Sequence, residues 1–171
     1  MMIPKAVIDT VGLFDNDFWC YFEETDFCHR VWLAGFECWY HPTSYLYHFL
    51  SGTRLKESEA FIQYHSFKNR LCSYIKNLGF IEGVKVIPVY LGFTILCSIV
   101  YLIKGNFGCF VSVYKAFWWN VINIKSTLKK RSNIQRNIRK LPDNTFLPRI
   151  TRNPRLVYYY RLVTGLKDYK D

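Results

Sequence analysis

The sequence of 171 residues predicts an α/β domain followed by C-terminal membrane-associated helices. Three observations support this fold class. Residues 1–80 alternate helical and strand-like patterns, residues 86–103 contain no charged side chain, and most of the positive charge follows residue 80. Half of the residues are hydrophobic, which favours a folded chain over a disordered one.

Three segments in the first half have helical patterns. Residues 6–14 predict a short amphipathic turn or helix that ends at a glycine. Residues 25–34 predict a second helix, in which Thr25 caps the start and Gly35 follows the end in the left-handed conformation. Residues 57–77 predict a longer helix with one apolar stripe.

Two short segments between these helices resemble strands. FECWYHP at 36–42 and SYLYHF at 44–49 are rich in aromatic residues and are bounded by Pro42 and Gly52. Together with the helices they predict a mixed α/β unit over residues 1–80.

Two apolar stretches follow, and they predict a membrane-associated unit over residues 81–125. As a helix, residues 86–103 would measure roughly 27 Å, just short of the ~30 Å hydrocarbon core of a bilayer. Pro88 and Gly92 make this stretch a poor simple span, and residues 107–124 form a second apolar stretch. We therefore expect interfacial or re-entrant helices, or a hairpin.

The charge distribution indicates an anionic surface as a partner. Residues 1–80 hold 7 basic and 9 acidic side chains, whereas residues 81–171 hold 16 basic and 4 acidic ones. The basic run KSTLKKRSNIQRNIRK follows two tryptophans and an apolar stretch, which is typical of a membrane interface. Residues 126–171 are thus expected to be a basic, aromatic tail that binds anionic lipid, with no nucleic-acid partner.

The six cysteines contain no CxxC pair, so we interpret them as reduced thiols that pack as small apolar groups. The opening MMIPKAVIDTVG lacks the apolar region of a secretory signal. We therefore expect a membrane-associated protein at the cytoplasmic face.

An acidic run stands out in FWCYFEETDFCHRVWLAG at 18–35. Glu23, Glu24 and Asp26 follow several bulky aromatic residues. Burial and neighbouring carboxylates can together hold one carboxylate as a general base near neutral pH. Acidic residues also enrich the first turn of ordinary helices, and the run by itself favours that simpler interpretation.

The acidic run is part of a longer pattern over about residues 3–78, which includes KNRL at 68–71. Its other elements are Gly12, Phe14, Asp15, Tyr21, Phe22, Glu23, Glu24, Asp26, Cys28, Arg30, Gly35, Pro42 and His48. This pattern resembles the C-terminal half of family 2 glycosyltransferases, especially the rhamnosyl- and galactofuranosyl-transferase-like members with a GT-A fold.

The resemblance implies a role for each site residue. Glu24 occupies the position of the general base, where the family usually has aspartate. Glu23, Asp26 and Trp19 are implied in binding the acceptor. His48 resembles a ligand to a divalent metal ion, Mn²⁺ or Mg²⁺, which the family also holds with an Asp-x-Asp motif.

The implied reaction transfers a sugar from a nucleotide-diphosphate donor to a glycan or lipid-linked acceptor during cell-surface polysaccharide synthesis. DND at 15–17 lies in the acceptor-side part of the pattern, so we expect the donor-binding Asp-x-Asp half to be missing and the chain to be inactive without it. That half could be a separate chain, and a homo-oligomer is a further expectation. Two alternatives stay open: a non-catalytic remnant, and a small basic membrane-binding protein.

Overall fold

A computed structural model describes residues 1–45 and 57–151 of the chain. Across these two ranges it contains seven α-helices and one π-helical turn, which directly follows α6. The helices are α1 (Lys5–Val11), α2 (Glu23–Leu33), α3 (Glu59–Asn77), α4 (Phe80–Ile103), α5 (Phe107–Ile122), α6 (Ile124–Asn133) and α7 (Asp143–Ile150), and the π-turn is Ile134–Ile138.

The prediction of an α/β domain with part of a GT-A-like fold is wrong, because the part of the chain that the structure describes is helical and has no strand. Residues 36–42 are irregular, and the second predicted strand lies partly outside the described residues. Strand preference mostly reflects packing of a pleated, half-buried surface. Here Trp39 and Tyr40 are each 85 % exposed, so their aromatic rings are not packed on a sheet.

The helical predictions for the first half are confirmed, with shifted boundaries. Helix α2 begins at Glu23, two residues before the expected cap at Thr25. Gly35 has a φ of +83°, as expected for the residue after a helix end. Helix α3 begins at Glu59, where the hydroxyl of Ser58 accepts a hydrogen bond from the amide of Phe61 at 3.2 Å.

One hydrophobic cluster joins the start of the described chain to its end. Helices α1 and α2 pack against the π-turn and α7. The cluster consists of Val7, Val11, Phe27, Val31, Leu33, Ala34, Ile134, Ile138 and Phe146. The backbone amide of Leu141 also donates to the carbonyl of Leu33 at 3.1 Å. The regions 1–80 and 126–171 therefore share a core through their described residues.

A second cluster is built by α3, α4 and α5. Helices α4 and α5 form an antiparallel hairpin, in which the Ser98 and Tyr114 hydroxyls lie 3.3 Å apart. At the tip of this hairpin, the side-chain amide of Asn106 donates to Glu59 at 3.0 Å. Helix α3 therefore runs alongside the hairpin from its tip to its base.

The outer face of the hairpin is apolar and exposed. Its exposed side chains include Val89, Ile95, Leu96, Ile99, Leu102, Ile103, Phe107, Val111, Phe117, Trp118, Val121 and Ile122. Helix α4 is long and apolar enough to cross a membrane, and it is the one such helix among the described residues. An exposed apolar face of this extent marks an interaction surface.

Candidate functional site

A largely buried ionic network includes Asp26, the last carboxylate of the acidic run. It consists of three carboxylates and three cations, Asp15, Asp17, Asp26, Arg30, Lys76 and Lys130. The network connects the loop before α2 with α2, α3 and α6. Because unpaired charges are costly to bury, this balance of charge fixes how these elements pack.

Asp26 is the centre of this network and is fully buried. One carboxylate oxygen accepts a hydrogen bond from Nε of Arg30 at 3.2 Å. The other lies 3.1 Å from Nζ of Lys76 and accepts from the side-chain amide of Asn77 at 2.8 Å. The structure thus places Asp26 inside the protein, where its oxygens are occupied by protein donors.

Asp15 is held by two ammonium groups, from Lys76 and Lys130. Burial of Asp15 would raise the pKa of its carboxyl, but the positive charge of Lys76 and the hydrogen bonds from both lysines lower that pKa to about 2. Lys130 also donates to Asp17 at 2.6 Å. The loop before α2 is therefore anchored to α6, a contact that joins distant parts of the sequence.

Two residues of KNRL position the end of the same loop. The ammonium of Lys68 donates to the carbonyl of Asp17 at 2.6 Å. The side-chain amide of Asn69 donates to the carbonyls of Cys20 and Tyr21, at 2.8 and 2.7 Å. The sequence identified this element but not its role, which is to hold the backbone that leads into α2.

The backbone immediately before α2 is unusual. Tyr21 and Phe22 are consecutive non-glycine residues with positive φ angles, +62° and +72°. Such conformations cost on the order of 1–3 kcal/mol each and concentrate at functional sites. The guanidinium of Arg70 lies 5.2 Å from the centre of the Phe22 ring, and Asn69 holds the carbonyl of Tyr21. These contacts allow the chain to turn sharply and to begin α2 at Glu23.

The carboxylates of the acidic run, which follows this turn, differ in exposure. Glu24 is exposed, Glu23 is half-buried, and Trp19 is 78 % exposed. Burial raises the pKa of Glu23, and the neighbouring charge of Glu24 acts in the same direction. A buried carboxylate oxygen of Glu23, Oε2, has no hydrogen-bond partner among the described residues. Glu23 and Glu24 are thus available to a ligand, whereas Asp26 faces inward.

A polar cavity of about 340 Å³ lies beside the turn. It is lined by Tyr21, by Glu57 just before α3, and by Glu59, Ile62 and Gln63 in the first turns of α3. Carboxylates, an amide and an aromatic ring are groups that bind hydroxyl-rich ligands through hydrogen bonds. The cavity therefore adds polar groups of α3 to the region around Glu23.

His48, the predicted metal ligand, lies outside the described residues. Within 1–45 and 57–151, no three His, Cys, Asp or Glu side chains come together as a metal site. We assign no step of the reaction to a metal.

The basic segment is partly used inside the protein. Arg131 donates to the carbonyls of Ile75 and Leu78 at 2.5 and 2.6 Å, and Arg139 donates to that of Asn77 at 2.5 Å. These guanidinium groups satisfy carbonyls at the C-terminal end of α3, where positive charge is favourable. The basic composition of this segment predicted charges on the surface. The long-range contacts show that two of its arginines instead bind backbone carbonyls at the end of α3.

The remaining cations of α6 and the π-turn form an exposed row. Lys125, Lys129 and Arg136 follow one another at helical spacing and are all exposed. The row lies directly after the exposed apolar end of α5, which includes Trp118 and Ile122. Basic residues beside an apolar aromatic surface are typical of a membrane interface.

The fold and the site define a helical protein with two features. The start of α2, with Glu23 and Glu24, is fixed by buried charges, and an exposed apolar hairpin packs on α3. Comparison of the chain with protein-family models, with curated proteins and with solved structures finds no match.

Proposed function

We propose that this protein is the acceptor-side part of a membrane-associated glycosyltransferase, with Glu24 as the general base. The proposed reaction transfers a sugar from a nucleotide-diphosphate donor to a hydroxyl of a glycan or lipid-linked acceptor. The resemblance of residues 3–78 to family 2 glycosyltransferases supports this reaction class, and the geometry around Glu24 supports the choice of base.

One observation carries the proposal. The strained backbone at Tyr21 and Phe22 is held by side chains of α3, and it presents Glu23 and Glu24 at the start of a helix. A protein gains no stability from two left-handed non-glycine residues, so this strained backbone favours a functional role for the residues it positions. Glu23 adds a second indication, since a raised pKa in a partly buried carboxyl is typical of a functional site.

In the proposed step, Glu24 accepts the proton of the acceptor hydroxyl. The oxygen of that hydroxyl then forms a bond to the anomeric carbon, while the bond from this carbon to the nucleotide diphosphate breaks and the diphosphate leaves with the electron pair. A carboxylate suits the task because it accepts hydrogen bonds through both oxygens. Exposed Trp19, in the loop before α2, offers a flat apolar surface to a sugar ring.

The geometry favours a hairpin that lies in the membrane interface. Helix α3 runs beside the hairpin along its length, and it carries Lys68, Arg70 and Lys76. If the hairpin crossed the bilayer, these cations and the nearby carboxylates would lie at the depth of the hydrocarbon, which is costly. In the interface, the apolar face can contact lipid while Glu24 stays in water on the cytoplasmic side, where nucleotide sugars are found.

A second candidate function is binding to membranes without catalysis. The exposed row of Lys125, Lys129 and Arg136 beside the apolar end of α5 supports this function whether or not Glu24 is a base. It agrees with the alternative of a small basic membrane-binding protein.

A transfer assay separates the two candidates. The full chain is combined with a donor-binding half from a family 2 glycosyltransferase, in vesicles that carry lipid-linked glycans, with radiolabelled nucleotide sugars and with Mn²⁺ and Mg²⁺ in the buffer. The proposal expects label in the lipid fraction only when both parts are present. Tight vesicle binding by the chain with no transfer from any donor tested would favour the non-catalytic function.

A further inference from the structure

An apolar groove runs between α4 and α5 of the hairpin, with buried side chains of α3 at its base. It has a volume of about 330 Å³ and lies between the middle turns of α3, α4 and α5. Its lining includes Phe67, Leu71, Leu91, Ile95, Val113 and Phe117. A pocket of this volume is of the size that holds part of a small ligand.

The polar groups that line the groove already have hydrogen-bond partners within the protein. The hydroxyl of Thr94 donates to the carbonyls of Tyr90 and Leu91, at 2.8 and 2.9 Å, and that of Ser98 donates to the carbonyl of Ile95 at 2.7 Å. Because these lining hydroxyls are already satisfied within α4, the groove suits a hydrocarbon chain.

Arg70 lies next to the lining of this groove. Arg70 follows the lining residue Phe67 by one helical turn, and its charge acts on Tyr90 and Cys97 of α4. Nε of Arg70 is buried and has no hydrogen-bond partner, and no ion pair involves Arg70 among the residues that the structure describes. A half-buried guanidinium in this state is a ready binding group for an anion.

A row of aromatic rings in contact lies between the groove and Phe22, the residue before α2. The ring of Tyr90 meets that of Tyr74 edge to face at 5.3 Å, and Tyr74 meets Phe22 in the same way at 6.1 Å. Arg70 lies over Phe22 at 5.2 Å. An anion bound to Arg70 would therefore lie between the apolar groove and the start of α2, which carries Glu23 and Glu24.

We propose that the groove binds the hydrocarbon chain of a single-chain lipid phosphate and that Arg70 binds its phosphate. The identification of this lipid as the carrier of the acceptor sugar rests on the proposed function, since the group beyond the phosphate would reach Glu24. Binding of the lipid phosphate itself follows from the groove and Arg70 alone. A volume of about 330 Å³ suits one hydrocarbon chain, and the charge of Arg70, which forms no ion pair among the described residues, favours an anionic headgroup.

Photolabelling of the full chain in neutral phosphatidylcholine nanodiscs tests the binding. The probe is dodecyl phosphate with a diazirine in its tail, and mass spectrometry locates the labelled residues. We expect labelling at the groove, competition by unlabelled dodecyl phosphate, and weaker competition by dodecanol and by inorganic phosphate. Since a charged hydrogen bond is lost, Arg70→Gln should raise the competing concentration of dodecyl phosphate about tenfold or more, whereas Lys115→Gln should not.

A pair of variants on α4 tests the position of the chain. Ile95 lines the groove and is 55 % exposed, so Ile95→Trp can fill the groove without disturbing buried packing. Its neighbour Leu96 is 56 % exposed and does not line the groove, which makes Leu96→Trp the matched control. We expect Ile95→Trp to abolish labelling at the groove and Leu96→Trp to leave it unchanged.

Three results would overturn the inference. These are labelling spread evenly over the exposed face of the hairpin, equal competition by dodecanol and dodecyl phosphate, or stronger competition by phosphatidylglycerol than by dodecyl phosphate. Labelling at the groove in a protein that transfers no sugar would leave the lipid site standing and remove the proposed function.

Discussion

The ammonium of Lys76 lies 3.1 Å from the carboxylate of Asp26, and both side chains are buried. This ion pair joins the last carboxylate of the acidic run to α3, the helix that also carries Arg70. Two neighbouring carboxylates therefore differ: Asp26 is buried in an ion pair, whereas Glu24 is exposed to solvent. The pair therefore links α2 to α3 inside the protein.

The first prediction concerns the stability that Asp26 provides. Asp26→Asn should lower the free energy of unfolding by about 3–5 kcal/mol, because it leaves Lys76 and Arg30 buried without their shared partner. Glu24→Gln changes an exposed side chain and should alter stability by less than about 0.5 kcal/mol. Urea unfolding in mild detergent, followed by circular dichroism, measures both. Equal stability of the two variants would contradict the buried role of Asp26.

The second prediction concerns strong acid. The pKa of Asp15 is about 2 in the folded protein, below the ordinary value of 3.8, so the unfolded state binds the proton more readily. The stabilisation from Asp15 is therefore present above about pH 4 and is lost as the pH falls towards 2, in total about 2 kcal/mol. Asp15→Asn should flatten the stability profile in this window. An unchanged slope below pH 4 would count against the pairing with Lys76 and Lys130.

The third prediction concerns mild acid and His29. Burial lowers the pKa of His29 to about 4 from 6.5, and the charge of Arg139 adds to that shift while Asp143 and Asp26 oppose it. Between pH 6.5 and 4 the unfolded state binds the extra proton, so stability should fall by about 3 kcal/mol as the pH decreases through this window. His29→Gln should remove this slope. Melting temperatures measured from pH 7 to pH 4.5 give the comparison, and an identical decline in both proteins would contradict a buried neutral imidazole.

The fourth prediction concerns anionic membranes. Lys125, Lys129 and Arg136 are exposed, and each cation near an anionic surface contributes about 1 kcal/mol to binding. Replacing all three by Gln should therefore weaken binding to phosphatidylglycerol vesicles on the order of a hundredfold. Binding to neutral vesicles should persist, since it depends on the apolar face of the hairpin.

Flotation with the two kinds of vesicle measures this effect. Lys5→Gln, an exposed cation on α1, is the matched control and should bind like the unchanged chain. Recovery of the unchanged protein only in the soluble fraction, whatever the lipid, would contradict membrane association altogether.

The helices could be predicted from the sequence because their signals are local. The apolar spacing in 25–34 and the glycine at Gly35 depend on neighbours within a few turns, and the structure places a helix there. The strand-like segment at 36–42 gave a false signal, since aromatic residues favour a strand only where a second strand and a packed face exist. Its tryptophan and tyrosine are instead exposed.

The sequence could not predict which carboxylates of the acidic run face the interior and which face the solvent. Whether Asp26 faces inward depends on Lys76 and Asn77, which are distant in sequence and whose charges alone do not reveal a partner. Polar residues such as Lys68 and Lys76 recur at helical spacing on α3, and this was the one signal of a buried polar face. The packing of α7 and the π-turn against α1 and α2 likewise depends on long-range contacts.

The most direct test of the central claim compares Glu24→Gln, Glu23→Gln and Asp26→Asn in the reconstituted transfer assay, with rates expressed per folded protein. Glu24→Gln keeps the shape of the side chain but cannot accept a proton, so we predict a loss of about 10²–10⁴-fold in kcat with little change in donor KM. Glu23→Gln should be milder, and the rate of Asp26→Asn per folded protein should stay close to that of the unchanged chain. Near-normal kcat for Glu24→Gln, with loss of activity in folded Asp26→Asn or in Glu23→Gln, would contradict Glu24 as the base.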